Sequence, residues 1–213
     1  MTCKNKEGVV KFQAICNGKE SKISEQEIAE LEKWRKKLFN LGLIGKYQKN
    51  GIAYGNVSIR IPPYSGDKRK RKYIITASQT SGIVHLNRKQ YSTIISHNAE
   101  KNSVFYNGLM KPSSETMTHG SIYDQSSEIR CVFHVHSPLI WKNRKKLELP
   151  QTAEDVAYGT PEMAHEVTRL FRETSVGKLG IFATGGHEDG IFSFGKTIEK
   201  AGRILLNYFE KAK

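Results

Sequence analysis

Residues 129–136 read IRCVFHVH, and this stretch constrains the fold more tightly than any other part of the chain. Its β-branched and bulky apolar side chains favour extended backbone inside a sheet. Alternate residues of a strand face the same way, so His134 and His136 sit side by side on one face. Two imidazoles placed like that can chelate one ion. The plainer alternative is a pair of partly exposed histidines at a strand end, and H-x-H spacing alone does not separate the two.

The rest of the chain supplies the layers around such a strand. Segments 54–61, 73–78, 103–106, 180–185 and 190–194 have strand character, the last two joined by HEDG. Residues 9–16 fit either a short strand or an extended arm. Ser24 with Glu27 forms a capping box for a helix that aligns Ile28, Leu31, Leu38 and Leu41, with Trp34 at its margin and Gly42 as its stop. A second helix starts after Pro112-Ser113-Ser114 and runs to about Tyr123. A third starts at Thr160-Pro161 and puts Met163, Val167, Leu170 and Phe171 on one side. The last covers residues 197–211, with Ile198, Ala201, Leu205 and Tyr208 at helical spacing. The expected class is α/β (α+β-like): one domain over residues 21–213 behind an N-terminal arm, residues 1–20, with a mainly antiparallel central sheet flanked by helices.

Composition narrows the function classes. The 213-residue chain carries a net charge of +13. Its basic residues are spread widely, and the densest runs, DKRKRK at 67–72 and WKNRKK at 141–146, have few aromatics interleaved. A solvated hairpin loop accounts for the first run, nucleic acid is not an expected partner, and a basic surface also concentrates anionic metabolites. Cys3, Cys16 and Cys131 match no zinc or disulfide framework and read as reduced thiols. With no signal-like or membrane-spanning apolar run, a cytoplasmic protein is expected.

Two more motifs could join the histidine pair. His187 lies in Gly185-Gly186-His187-Glu188-Asp189-Gly190, where glycines permit a tight turn at a strand end. Alone it is a polar turn residue; with His134 and His136 it makes a three-imidazole site with room for water or substrate, suited to zinc or another divalent ion. Glu115 follows Pro112-Ser113-Ser114. Serines at a helix start leave N–H groups that suit a phosphate or carboxylate, although N-capping explains them as well, and dipole complementarity explains Glu115. Gly55-Asn56 and Ser81-Gly82 are small, donor-rich pairs that also fit plain turns.

In this order, from Gly55-Asn56-Val57-Ser58 through Ile75-Thr76, Ser81-Gly82, Pro112-Ser113-Ser114-Glu115, His134-Val135-His136 and Gly159-Thr160 to Gly186-His187, the motifs resemble the class II aldolase/adducin family across roughly residues 28–208. The resemblance implies a three-layer α/β/α fold around a mostly antiparallel sheet and a homotetramer with active sites at its subunit interfaces. It implies one divalent metal per subunit, zinc above all, on His134, His136 and His187, with Glu115 as acid/base. It places the phosphate of a small anionic sugar at Gly55, Asn56, Ser81, Gly82, Ser113 and Ser114. The implied reaction is lyase chemistry, making or breaking a C–C bond of a phosphorylated ketose through a metal-stabilised enediolate. Sugar-phosphate epimerases and a dehydratase in the family use the same kind of site. Adducin-like interaction domains, which typically lose the metal ligands, are the non-catalytic alternative.

Three features depart from the family pattern. GGHEDG puts Glu188 and Asp189 beside the third ligand, ASQTSG allows Thr80 in place of Ser81, and WKNRKK stands where an apolar helix is usual. Tyr158 is the one candidate for an interface aromatic. His119 could face the site from four residues after Glu115; like His85, His97 and His165, it also reads as a surface or packing histidine.

Overall fold

The computed structural model describes residues 9–19, 23–62, 64, 66–68 and 71–213. Within them, ten strands and six α-helices follow one another: β1 (Gln13–Gly18), α1 (Glu25–Asn40), β2 (Gly45–Lys46), β3 (Ala53–Tyr54), β4 (Asn56–Arg60), β5 (Tyr73–Thr76), β6 (Tyr91–Asn98), β7 (Ser103–Asn107), α2 (Thr116–Gln125), β8 (Cys131–His136), α3 (Pro138–Lys142), α4 (Pro161–Glu173), α5 (Val176–Leu179), β9 (Ile181–Ala183), β10 (Gly190–Gly195) and α6 (Ile198–Lys211). Eight strands form one sheet in the order β1-β7-β6-β5-β4-β8-β10-β9, while β2 and β3 pair separately. Every pairing in the large sheet is antiparallel except β1 with β7. Of the segment 9–16, only the part from Gln13 on is strand, and β1 runs on to Gly18.

Helices cover both faces, because side chains of each strand alternate between two apolar cores. Cys131, Phe133 and Val135 of β8 point into a core with Leu31 and Trp34 of α1, Ile140 of α3 and Leu205 of α6. Val132 of the same strand joins Met117 and Ile122 of α2, Val167 and Leu170 of α4, and Val176 of α5 on the opposite side. The period of two thus sends His134 and His136 to the α2–α4 side. Trp34 is buried rather than marginal: it packs on Phe133 with ring centroids 5.9 Å apart, and a Cβ at Gly202 of α6 would stand 2.2 Å from its ring.

Other expectations shift. The Ser24–Glu27 capping box involves the Glu27 side chain, which lies outside the described residues, as do Cys3, Arg69 and Lys70. Tyr91–Asn98 forms the long strand β6, where the sequence pattern leads to no strand. Arg71 is not solvated; it is buried and donates through Nη2 to the Gly66 carbonyl at 2.8 Å. WKNRKK is only partly a solvated run. Trp141 donates from Nε1 to the Thr184 carbonyl at 2.8 Å, and the Arg144 guanidinium lies 3.9 Å over its ring. Among the described residues no helix is long and apolar enough to cross a membrane.

A candidate metal centre at the end of the sheet

Strand register brings the first site residues together. Asn56 of β4 pairs with His134 of β8, and His136 pairs with Gly190 at the start of β10. Gly55 precedes β4 at φ +77°, and a Cβ there would lie 2.4 Å from Ile44, so the turn requires glycine. The loop between β9 and β10 then folds back over the sheet edge. Thr184 N donates to the Gly190 carbonyl at 2.9 Å, and Thr184 Oγ1 donates to the His187 carbonyl at 2.7 Å. A Cβ at Gly186 would be 2.2 Å from the Val156 carbonyl, so this glycine lets the loop lie against residues 152–156.

Three imidazoles meet there. Ring centroids are 5.1 Å apart for His134–His136, 5.3 Å for His134–His187 and 4.8 Å for His136–His187. One nitrogen from each ring lies within 4.8 Å of those from the other two. All three are buried, at 1%, 4% and 8% exposure. Burial, with the neighbouring imidazoles next in effect, holds His134 and His136 well below the usual histidine pKa. Both are therefore neutral, the state in which imidazole binds a metal. His134 Nδ1 faces the Ile191 carbonyl at 3.3 Å, and His136 Nδ1 meets the Tyr47 hydroxyl at 2.8 Å. Such outer partners orient metal-ligating histidines. The donor set fits a divalent ion: three clustered imidazole nitrogens and an adjacent carboxylate.

That carboxylate is Glu115, at the N-cap position of α2 and 2% exposed. Its side chain makes no capping hydrogen bond. Oε1 instead lies 3.1 Å from His187 Nδ1 and 3.9 Å from His134 Nε2. Thr118, one turn on, donates to Oε2 at 2.8 Å. Burial pushes the Glu115 pKa up, but the adjacent His187 and the Thr118 hydrogen bond outweigh it, leaving the carboxyl below its ordinary value.

Gly55, Asn56, Ser81, Ser113 and Ser114 line the same cleft as Glu115 and the three histidines. Asn56 Oδ1 is buried with no hydrogen-bond partner. Ser113 Oγ accepts from Glu115 N at 3.4 Å, and the Ser81 hydroxyl donates to the Gly55 carbonyl. Gly82 does not line the cleft; a Cβ there would meet Lys46 at 2.8 Å. Thr80 turns inward and donates to the Ala77 carbonyl at 2.7 Å, so Ser81 is the one that reaches the cleft. Glu188 is exposed, and neither it nor Asp189 lines the site. Tyr158 packs on His187 of its own chain, with centroids 4.8 Å apart. His119 is a core histidine: its Nδ1 is 2.7 Å from Ser58 Oγ, and burial lowers its pKa to about 3. Sequence reasoning missed Tyr47 and Thr118; the i, i+3 spacing from Glu115 was the one available sign of the latter.

An α/β/α layered fold with a three-histidine, one-carboxylate cleft at a sheet end defines the class of this protein. The sequence matches the Class II Aldolase and Adducin N-terminal domain family over residues 42–212, and the chain belongs to that family. Solved structures with the same fold include L-fuculose 1-phosphate aldolase (20% identity, TM-score 0.63, covering 89% of this chain and 84% of that one). A sugar-phosphate aldolase from Thermotoga maritima is similar at 18% identity and TM-score 0.61, over 87% of this chain and 91% of its own. The L-fuculose-1-phosphate aldolase from Thermus thermophilus is similar at 19% identity and TM-score 0.60, over 86% of this chain and 89% of its own. At these identities the likeness concerns the fold. No curated protein matches the chain.

Proposed function

We propose that this protein is a divalent-metal lyase of aldolase type that makes or breaks a C–C bond in a small phosphorylated ketose. The observation that carries the reading is the position of Glu115 Oε1, 3.1 Å from His187 and 3.9 Å from His134 inside a buried cleft. His134, His136 and His187 would hold the ion, zinc being the first choice for three imidazoles. Bound there, it would act as a Lewis acid toward substrate oxygens.

The protein's own groups do the rest. Thr118 fixes Oε2, so Oε1 is the oxygen that takes and returns the substrate proton. The ionised carboxylate is the form that acts as a base, and the Thr118 hydrogen bond favours that form. Asn56, Ser81, Ser113 and Ser114, with backbone at Gly55 and the turn set by Gly82, would bind the anionic end of the sugar and supply position. A homotetramer with interfacial sites, which rests on the family, and a cytoplasmic setting complete the proposal.

Metal analysis of the purified protein, paired with a panel of phosphorylated ketoses, tests the reading. The wild type should hold close to one divalent ion per chain and the H134A/H136A variant almost none; equal metal in both defeats the metal centre. E115Q should keep its metal and lose turnover by about 10²–10⁴-fold. Retained turnover removes Glu115 from the acid/base role. Products show whether cleavage, epimerisation or dehydration takes place.

A further inference from the structure

Among the described residues, those lining the cleft include one carboxylate and no lysine or arginine. A phosphate or carboxylate entering so closed a space needs charge compensation beyond neutral donors. Lys11 stands against Tyr158, one of the lining residues. Lys11 belongs to the segment just before β1, outside the residues that match the family. Its Nζ lies 4.0 Å from the centroid of the Tyr158 ring, which in turn packs on His187.

The backbone around Lys11 is pinned. Val9 N donates to the Tyr158 hydroxyl at 3.2 Å. Asn102 Nδ2 donates to the Lys11 carbonyl at 3.1 Å, and Gln13 N donates to the Asn102 carbonyl at 2.8 Å. Phe12 is buried in the core on the α2–α4 side. Lys11 makes no ion pair with any described residue. Desolvation lowers its pKa, while the charge of Glu115 opposes that shift, so the ammonium is within electrostatic reach of the acid/base carboxylate. A partly desolvated ammonium resting on an aromatic face keeps its hydrogen-bond donors available for a stronger acceptor.

We propose that Lys11 contacts the substrate, its ammonium binding the anionic group of the sugar beside Tyr158 at the mouth of the cleft. The proposal rests on the reading of the cleft as a site for an anionic sugar. It makes the N-terminal segment part of the active site and gives this chain a charged contact carried outside the matched region.

Calorimetric titration of the metal-loaded protein with inorganic phosphate, at low and high salt, separates the two readings. K11M should weaken phosphate binding about tenfold or more and flatten its salt dependence, with metal content unchanged. K11R should bind within about threefold of wild type, since the charge is kept. Phosphate binding that K11M leaves unchanged overturns the role of Lys11 and leaves the anionic-sugar reading standing. A K11R variant as weak as K11M overturns it too, by making Lys11 a structural tether. Absence of phosphate binding in metal-loaded wild type overturns both readings.

Discussion

Glu115 shows how much chemistry a single side chain takes from its neighbours. As the residue opening a helix it would ordinarily complement the dipole. Here Thr118 draws Oε2 inward, and Oε1 turns to the histidines. T118V keeps the side-chain shape and removes the donor. We expect turnover to fall about tenfold, in line with the loss of one hydrogen bond to a charged group, with metal content unchanged and T118S near wild type. The sign of the pH effect follows directly. The Thr118 hydrogen bond lowers the Glu115 pKa, so its loss raises that pKa and moves the acid limb of the rate profile to higher pH. Cys131 offers a second check at this scale. Burial pushes its thiol well above the usual range, and it lies buried in the core while Cys16 is exposed. Peptide mapping after thiol labelling should find Cys16 modified in the native protein and Cys131 only after unfolding. Of these roles, the partners of Glu115 on its own helix were legible as far as helix spacing reaches. The direction of its carboxylate was not, since that depends on a loop 72 residues away in sequence (187 minus 115).

At the scale of elements, close approaches decide the packing. The contact between α1 and α6 depends on Gly202 admitting the Trp34 ring. G202A should destabilise the protein by about 1–3 kcal/mol, seen as a lower urea midpoint at unchanged slope. The His187 loop depends on Trp141, whose indole holds the Thr184 carbonyl. W141F keeps an aromatic ring and loses that donor; we expect metal affinity to drop about tenfold in competition with a chromophoric chelator, as for other outer-sphere supports. Strands rich in apolar β-formers, such as β8 and β10, could be read directly from the sequence. Strand β6 could not: YSTIISHN mixes polar and apolar residues, and Ser92 and Thr93 are both buried, so no alternation marks its faces. Helix α2 was found through its serines rather than its periodicity, because eight of its ten residues are buried and no polar stripe remains.

For the whole molecule, the proposed metal centre ties strands β8 and β10 to the loop carrying His187, so its occupation should stabilise the native state. Metal at about 100 times its Kd adds about 2.7 kcal/mol. In a chain of this length that corresponds to a rise of about 5–10 °C in Tm. Chelation should remove the shift, and H134A/H136A should show none; equal shifts in both proteins would mean that the ion binds elsewhere. Periodicity alone determined that His134 and His136 share a face, because a strand alternates whatever surrounds it. Motif order was enough to indicate a layered α/β/α family. Which nitrogens and oxygens converge depended on contacts far apart in the chain. His187 reaches the pair through a loop folded against residues 152–156, Tyr47 arrives on its own turn, and Lys11 is carried in by a strand added in parallel to β7. No local propensity records such meetings. They are set by the register and closure of the sheet, which places the ends of β4, β8 and β10 beside the start of α2 and turns a set of separate motifs into one buried cleft.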